Sequence, residues 1–260
     1  MLVTHENYRS PEANQAYMSY SQYTDFQRCE ARALAIIRGE YEPEQTTALL
    51  QGGYVDAYVA GTLDQFKDEH PEMFSSRGAT KGELKADFRH LDTVIARFMS
   101  DAVFTEYLKG DKQVIVTGEI GGIPFKGMVD VLHRDRIVDM KCVKDFSRVW
   151  SDHHGQYVNF VTAWGYAYQA AIYRELVRQT TGDALPFYIT AVTKEKTPDI
   201  AVLSFQDQEL DVLLEEISYW AEKYQQIKAG EVEPERCGQC DYCKLTRVLA
   251  GPVEYHEFLG

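Results

Sequence analysis

A central mixed β-sheet flanked by helices, within one α/β domain, is the fold class that the sequence predicts. Three observations predict it. With 260 residues and 45% hydrophobic content, the chain can build one substantial core, or at most two small ones. The hydrophobic period is helical to about residue 108, alternates between about 112 and 143, and then turns helical again. The resulting order is helices, three strands, a helix, two strands and a helix. The expected organisation is a single domain over 1–260, with a helical part over 12–108, the sheet and its helices over 112–229, and a cysteine-containing tail over 230–260.

Taken in order, Ser19 and Ser21 are N-cap candidates for a helix that reaches about Gly39 and carries Phe26, Ala33, Ile36 and Ile37. A second helix is expected over 44–60 and a loop over 70–78. A third helical stretch over 81–108, with room for one break, places Leu84, Phe88, Leu91, Ile95 and Phe98 at helical spacing. Residues 113–119, 123–132 and 136–143 are short, β-branched and separated by the turn signals Gly121-Gly122 and Arg134-Asp135, which predicts a three-stranded meander. An aromatic-rich helix over 157–180, strands over 187–192 and 200–205, and an amphipathic helix over 207–229 complete the series. There is no low-complexity tract or internal repeat.

The formal net charge of −13 excludes capture of nucleic acid through overall charge, so any contact with a polyanion must be local. Carboxylates that hold divalent cations would invert the field at such a place. No run approaches 18 uncharged apolar residues, and MLVTHENYRSPEANQ lacks the basic start and apolar stretch of a signal peptide. The expectation is a soluble cytoplasmic protein without a membrane partner. Five cysteines, three of them in CGQCDYC, read as reduced thiols or a metal site rather than a disulfide framework.

The chemistry concentrates in GMVDVLHRDRIVDMK, residues 127–141. A two-residue loop at Arg134-Asp135 pairs His133 with Arg136, Leu132 with Ile137, Val131 with Val138, and Asp130 with Asp139. The two aspartates then face each other with β-carbons about 5 Å apart, and such a pair repels unless a cation lies between. Alternation puts Lys141 on the same face and Val129, Val131, Val138 and Met140 on the other. Hydrolysis of a phosphodiester needs these groups: hard oxygen ligands for Mg²⁺ and a cation beside the phosphate or the attacking water. The alternative is an exposed pair on a solvated hairpin, with Lys141 as an ordinary salt-bridge partner.

The segment resembles the PD-(D/E)XK nuclease superfamily, whose acidic residue, strand turn and (D/E)XK triplet correspond here to Asp130, Asp139, Met140 and Lys141. Downstream, GYAYQAAIYREL is similar to the Q-x-x-x-Y helix of the RecB-like subgroup and supplies Gln169 and Tyr173, four apart and on one helix face. Their alternative is a buried amide and a core tyrosine. Upstream, LLQGGYVDAYV resembles a helix in which relatives carry G-x-x-x-H, with Asp56 at the last position. Over residues 19–245 the order of elements is most similar to RecE-type exonucleases of phages and prophages, including SQYTDFQRC near the start and CDYC near the end.

That resemblance implies a restriction-endonuclease-like core and a 5′→3′ exonuclease of a bacterial host cell. It would act on double-stranded DNA ends and leave a 3′ strand for a RecT-type annealing protein. It further implies a ring of three or four copies and two Mg²⁺ ions, replaceable by Mn²⁺, at Asp130 and Asp139, with Met140 and Asp56 as further metal-holding positions. Cys29, Cys237, Cys240 and Cys243 match the one-plus-three arrangement of an iron–sulfur cluster in some relatives, with zinc or free thiols as alternatives. Lys126, Lys144 and Arg148 are candidates for phosphate contacts. Glu119, paired with Pro124 across the Gly121-Gly122 turn, falls about 20 Å along the strand from Asp130 and is read as structural. Glu83 is a candidate extra acid on the preceding helix, and Cys142 is read as a small packing residue. Two rival functions remain: a cluster-bearing nuclease for single strands, and a non-catalytic DNA-binding protein of this fold.

Overall fold

Strands form where apolar residues begin to alternate, and the sheet built there has a separate core on each face. The computed structural model describes residues 1–151, 155–249 and 251–256, so residues 250 and 257–260 of the expected tail lie outside the described residues.

The amino-terminal part is helical. Ser10 caps α1 (Pro11–Ala16), which has a proline in its first turn. The helix expected from residue 19 to 39 is two: α2 (Tyr20–Arg28), capped by Ser19, and α3 (Glu30–Ile37). Cys29 divides them because it is extended, with φ −167° and ψ 107°. Thr46 caps α4 (Thr47–Ala60), and α5 (Leu63–Glu69) follows with a short 3-10 turn at Pro71–Met73. The stretch expected over 81–108 becomes α6 (Ala86–Met99) and α7 (Ala102–Tyr107), because Asp101 leaves the helix to cap the Phe104 amide. Residues 81–85 form a turn outside α6, so Glu83 is an exposed loop residue and not a helical acid.

The sheet contains β1 (Asp111–Ile120), β2 (Ile123–Leu132) and β3 (Ile137–Val143). A separate hairpin follows, made of β4 (Val149–Ser151) and β5 (Gln156–Val158), so the expected long helix starts later than residue 157. Gly165, at φ +70°, divides that helix into α8 (Phe160–Trp164) and α9 (Tyr166–Thr181). Then come β6 (Phe187–Thr193), β7 (Ile200–Ser204), α10 (Asp207–Ala229) and α11 (Asp241–Leu245). The strand order β1-β2-β3-β6-β7, with β3 and β6 parallel and the other pairs antiparallel, is the mixed sheet expected.

One core, beneath α9 and α10, includes Phe26, Val116, Phe125, Val129, Leu176 and Ile217. The other, beneath α4 and α6, includes Val55, Leu91, Phe98, Val131, Val138 and Met140. Val129 and Val131 therefore enter different cores, against the expectation that they share a face. The alternation inverts between them at Asp130, where the ladder skips the pair with Gln113, a residue at φ +52°. On its other side, β2 pairs with β3 only at Val131–Val138 and Leu132–Ile137, and then the strands part. Met18 takes up the free edge of β2: its amide donates to the Pro124 carbonyl and its carbonyl accepts from the Lys126 amide, both at 2.8 Å.

Lys126 does not reach for phosphate, as the sequence suggested. It is 1% exposed, and its Nζ donates to the Tyr8 carbonyl and to Asn14 Oδ1, pinning the N-terminal segment. Lys228 holds the same segment through the carbonyls of Asn14 and Tyr17, at 2.8 and 3.0 Å. Among the described residues no helix is long and apolar enough to cross a membrane.

Candidate active site

Charged side chains fill the gap between the parting strands. Asp130 does not pair with Asp139 across a ladder, as the hairpin register suggested. Its Oδ2 accepts from the Met140 amide at 2.9 Å, standing in for the backbone acceptor that a continued ladder would supply. Its Oδ1 accepts from Gln113 Nε2 at 3.2 Å. Two carboxylates held about 5 Å apart in a ladder would repel, whereas the splay gives Asp130 donors of its own.

Asp139 and Lys141 do share a face, the one covered by α9. Asp139 is 2% exposed; Gln169 Nε2 donates to its Oδ1 at 2.6 Å, and Lys141 Nζ forms an ion pair with its Oδ2. Burial pushes the Asp139 carboxyl up to about 7, with Lys141 pulling it down and Asp130 adding to the rise. Burial works against the Lys141 ammonium, but Asp139 and Asp130 outweigh it and hold the lysine above its ordinary value. The same ammonium lies 4.8 Å from the ring centroid of Tyr166.

Asp56 reaches this group from α4. Burial, and then the charge of Asp130, raises it well above the usual carboxylate range, while Lys141 pulls it down and Asp139 adds a smaller rise. Three carboxylates thus share one ammonium in a poorly solvated gap, a net negative environment suited to a cation. Among the described residues, no carboxylate group converges as tightly as four cysteines described below.

Gln169 and Tyr173 occupy one face of α9, as expected. With Nε2 committed to Asp139, the buried Gln169 Oε1 meets no donor among the described residues. Tyr173 lies against Gly127, where a Cβ would sit 2.9 Å from Tyr173 Cε1, so only glycine lets the ring approach β2 so closely. Burial, with Tyr8, Asp139 and Asp130 nearby, keeps the Tyr173 phenol well above its ordinary value, and it remains a neutral donor. Met140 contributes main chain alone, because its side chain is 1% exposed in the opposite core with Sδ accepting from Thr190 Oγ1 at 3.4 Å. Glu119 pairs with Pro124 at the far end of β1, away from this group.

Sequence reasoning missed Tyr8, Gln113 and Tyr166. Tyr166 was within reach of it, since it stands three residues before Gln169 on the same helix face. Tyr8 and Gln113 depend on long-range folding and on a positive φ that nothing local announces. Beside them opens a cleft of about 490 Å³, lined by His5, Tyr8, Arg9, Thr62, Lys112 and Gln113 among others. Arg9 and Lys112 are its cations, in place of the buried Lys126, while Lys144 and Arg148 are exposed beyond β3. Cys142 packs against the second core, as expected, and burial raises its thiol to about 12.

Residues 19–246 match the model of a family described as a PDDEXK-like domain of unknown function (DUF3799). No curated protein matches the chain. The structure is similar to the crystal structure of a protein from Eubacterium rectale that carries the provisional name of exonuclease. The TM-score is 0.91 and the identity 42%, over 98% of this chain and 97% of that one.

Proposed function

Since the chain belongs to the PDDEXK-like family, we propose that it is a Mg²⁺-dependent exonuclease that enters linear duplex DNA at an end and degrades one strand 5′→3′. The observation that carries the reading is the gap between β2 and β3, where Asp139 is ion-paired with Lys141 and Asp56 and Asp130 lie close enough to feel the same charges. The donor set fits Mg²⁺, which takes hard oxygens and commonly needs only one or two carboxylates beside water and substrate phosphate. Asp139 and Asp130, with Asp56, would hold the ion, and when bound it would polarise the phosphoryl group and acidify a water. Mn²⁺ satisfies the same ligands.

The remaining work falls to the protein's own groups. Lys141 offsets charge on the phosphate, and Gln169 fixes the Asp139 carboxylate while its Oε1 can accept a hydrogen bond from the attacking water. Tyr173, kept neutral, can donate to a phosphate oxygen. Arg9 and Lys112 would grip the strand entering the cleft. A ring of three or four copies would reconcile a charge of −13 with a hold on DNA, by turning basic groups inward. The 3′ strand left behind would pass to a single-strand annealing protein.

Linear duplexes labelled at either 5′ or 3′ ends test the reading, digested with and without Mg²⁺. Early release of the 5′ label only with the metal is expected; early release of the 3′ label, or cutting of closed circles, would overturn the polarity or the end requirement. Gln169→Leu is expected to slow cleavage about 10- to 100-fold, the usual effect of removing the partner that orients a metal-binding group. An unchanged rate would remove Gln169 from the site.

A further inference from the structure

We infer that Cys29, Cys237, Cys240 and Cys243 hold a single zinc ion, in place of the iron–sulfur cluster that the family resemblance implies, and that this ion fastens the C-terminal tail to the break between α2 and α3. The inference does not depend on the nuclease reading.

The spacing of the sulfurs distinguishes the two groups. All four Sγ atoms lie within 4.8 Å of one another, with Cys29 and Cys243 at 3.6 Å and Cys237 and Cys243 at 4.0 Å. A tetrahedral zinc with bonds of about 2.3 Å sets its thiolates about 3.8 Å apart, by the geometry of the tetrahedron. A four-iron cluster gives each thiolate its own iron and spreads the sulfurs well beyond that distance. Sulfurs 3.6 Å apart are also too far for a disulfide, and all four cysteines are free.

Local structure shapes the site for one small ion. The two-residue gaps of CGQCDYC make a tight turn, in which the Cys240 amide donates to Cys237 Sγ at 3.4 Å and so favours the thiolate. Gly238, with φ +73°, permits that turn. Cys29 is offered from the opposite side because α2 ends at Arg28 and α3 begins at Glu30. Cys29 and Cys243 are buried at 4% and 2%, Cys240 is half-buried and Cys237 exposed, so the group is closed on its Cys29–Cys243 side and reachable by an ion from the side of Cys237.

The tail needs such a fastening. Its apolar contact here is small, comprising Cys29, Ala31 and Cys243 with Cys240 and Tyr242 against them. Polar ties position it: the Ala31 amide donates to the Glu235 carbonyl at 3.0 Å, and the Glu235 amide donates to Glu30 Oε2 at 2.8 Å. Ties of this kind exchange readily with water, whereas a bound structural ion adds its binding energy directly to folding.

The test is the metal content of the full chain, purified anaerobically without chelator from cells supplied with both iron and zinc. The expected result is one zinc per chain, no acid-labile sulfide and no visible absorbance. Cys240→Ser should lose the zinc and Asp139→Asn should keep it, which separates this site from the carboxylates. Iron with matching sulfide and a brown colour would overturn the inference. So would colourless, metal-free protein whose four thiols all react at once with a thiol reagent. The parent's own metal content decides the question even where a cysteine variant fails to fold.

Discussion

Replacing Asp139 with Asn is expected to abolish cleavage and to make the metal-free protein more stable at neutral pH, whereas replacing Lys141 with Met should abolish cleavage and make it less stable. For activity, loss of a metal-holding carboxylate, or of the ammonium that offsets charge on the phosphate, removes several kcal/mol of transition-state stabilisation, so a fall of about 10³-fold or more is expected in each case. The stabilities diverge because the gap holds three carboxylates and one ammonium. Asn at 139 removes one of three competing anions and can keep a hydrogen bond to Gln169. Met at 141 leaves Asp139 and its neighbouring carboxyls without the ammonium paired to them, and losing one partner of a buried pair costs about 3–5 kcal/mol, less whatever protonation of Asp139 and Asp56 relieves.

The pH dependence follows with a definite sign. The folded-state value of Asp139 is about 7, raised from 3.8, so between those values the folded chain binds more protons than the unfolded one. This contribution to stability is lost as pH rises from about 4 to 7, and Asp139→Asn should flatten that fall. Saturating Mg²⁺ should stabilise the parent by mass action and leave the Asn variant nearly unmoved. Thermal unfolding from pH 5 to 8, in chelator and in Mg²⁺, measures all of this. An Asn variant less stable than the parent in chelator at pH 7.5 would mean that Asp139 sits in its charged form with Lys141 as an ordinary ion pair.

What could be read from the sequence follows from the range of the forces involved. The Arg134-Asp135 turn is local, so the pairs Val131–Val138 and Leu132–Ile137 came out as expected. Alternation put Lys141 beside Asp139, and helical spacing put Gln169 and Tyr173 on one face of α9. The register failed one residue further on, at Asp130, where β2 and β3 part and the freed edge of β2 is taken up by Met18, more than a hundred residues earlier in the chain. Lys126 misled for a related reason. A lysine four residues past the Gly121-Gly122 turn reads as exposed charge, and only the return of the N-terminal segment buries it. The cysteines were legible as a group through their spacing, but their number of partners was not, since Cys29 is brought to the others by the break between two helices.

Replacing Lys228 with Met is expected to cost about 2–3 kcal/mol and to weaken cleavage, although Lys228 lies outside the gap. Its Nζ donates to the carbonyls of Asn14 and Tyr17 and to Gln22 Oε1, and an apolar replacement strands those acceptors. Burial, and then the nearby Lys126, lower the Lys228 ammonium from 10.5 to about 8; burial alone brings Lys126 to about 8. Between pH 8 and 10 the unfolded chain therefore binds more protons, and this contribution to stability rises with pH. The Met variant should lose part of that rise, as followed by urea midpoints across the range. The two lysines grip opposite sides of one residue, Lys126 at Asn14 Oδ1 and Lys228 at the Asn14 carbonyl. Their effects should be non-additive in a double-mutant cycle with Lys126→Met. Strict additivity would mean that the segment is held elsewhere. Activity follows because this segment carries Met18 along the free edge of β2 and Tyr8 against the neighbourhood of Asp130 and Tyr173. Releasing it would let the parted strands close toward the regular ladder that places Asp130 and Asp139 face to face.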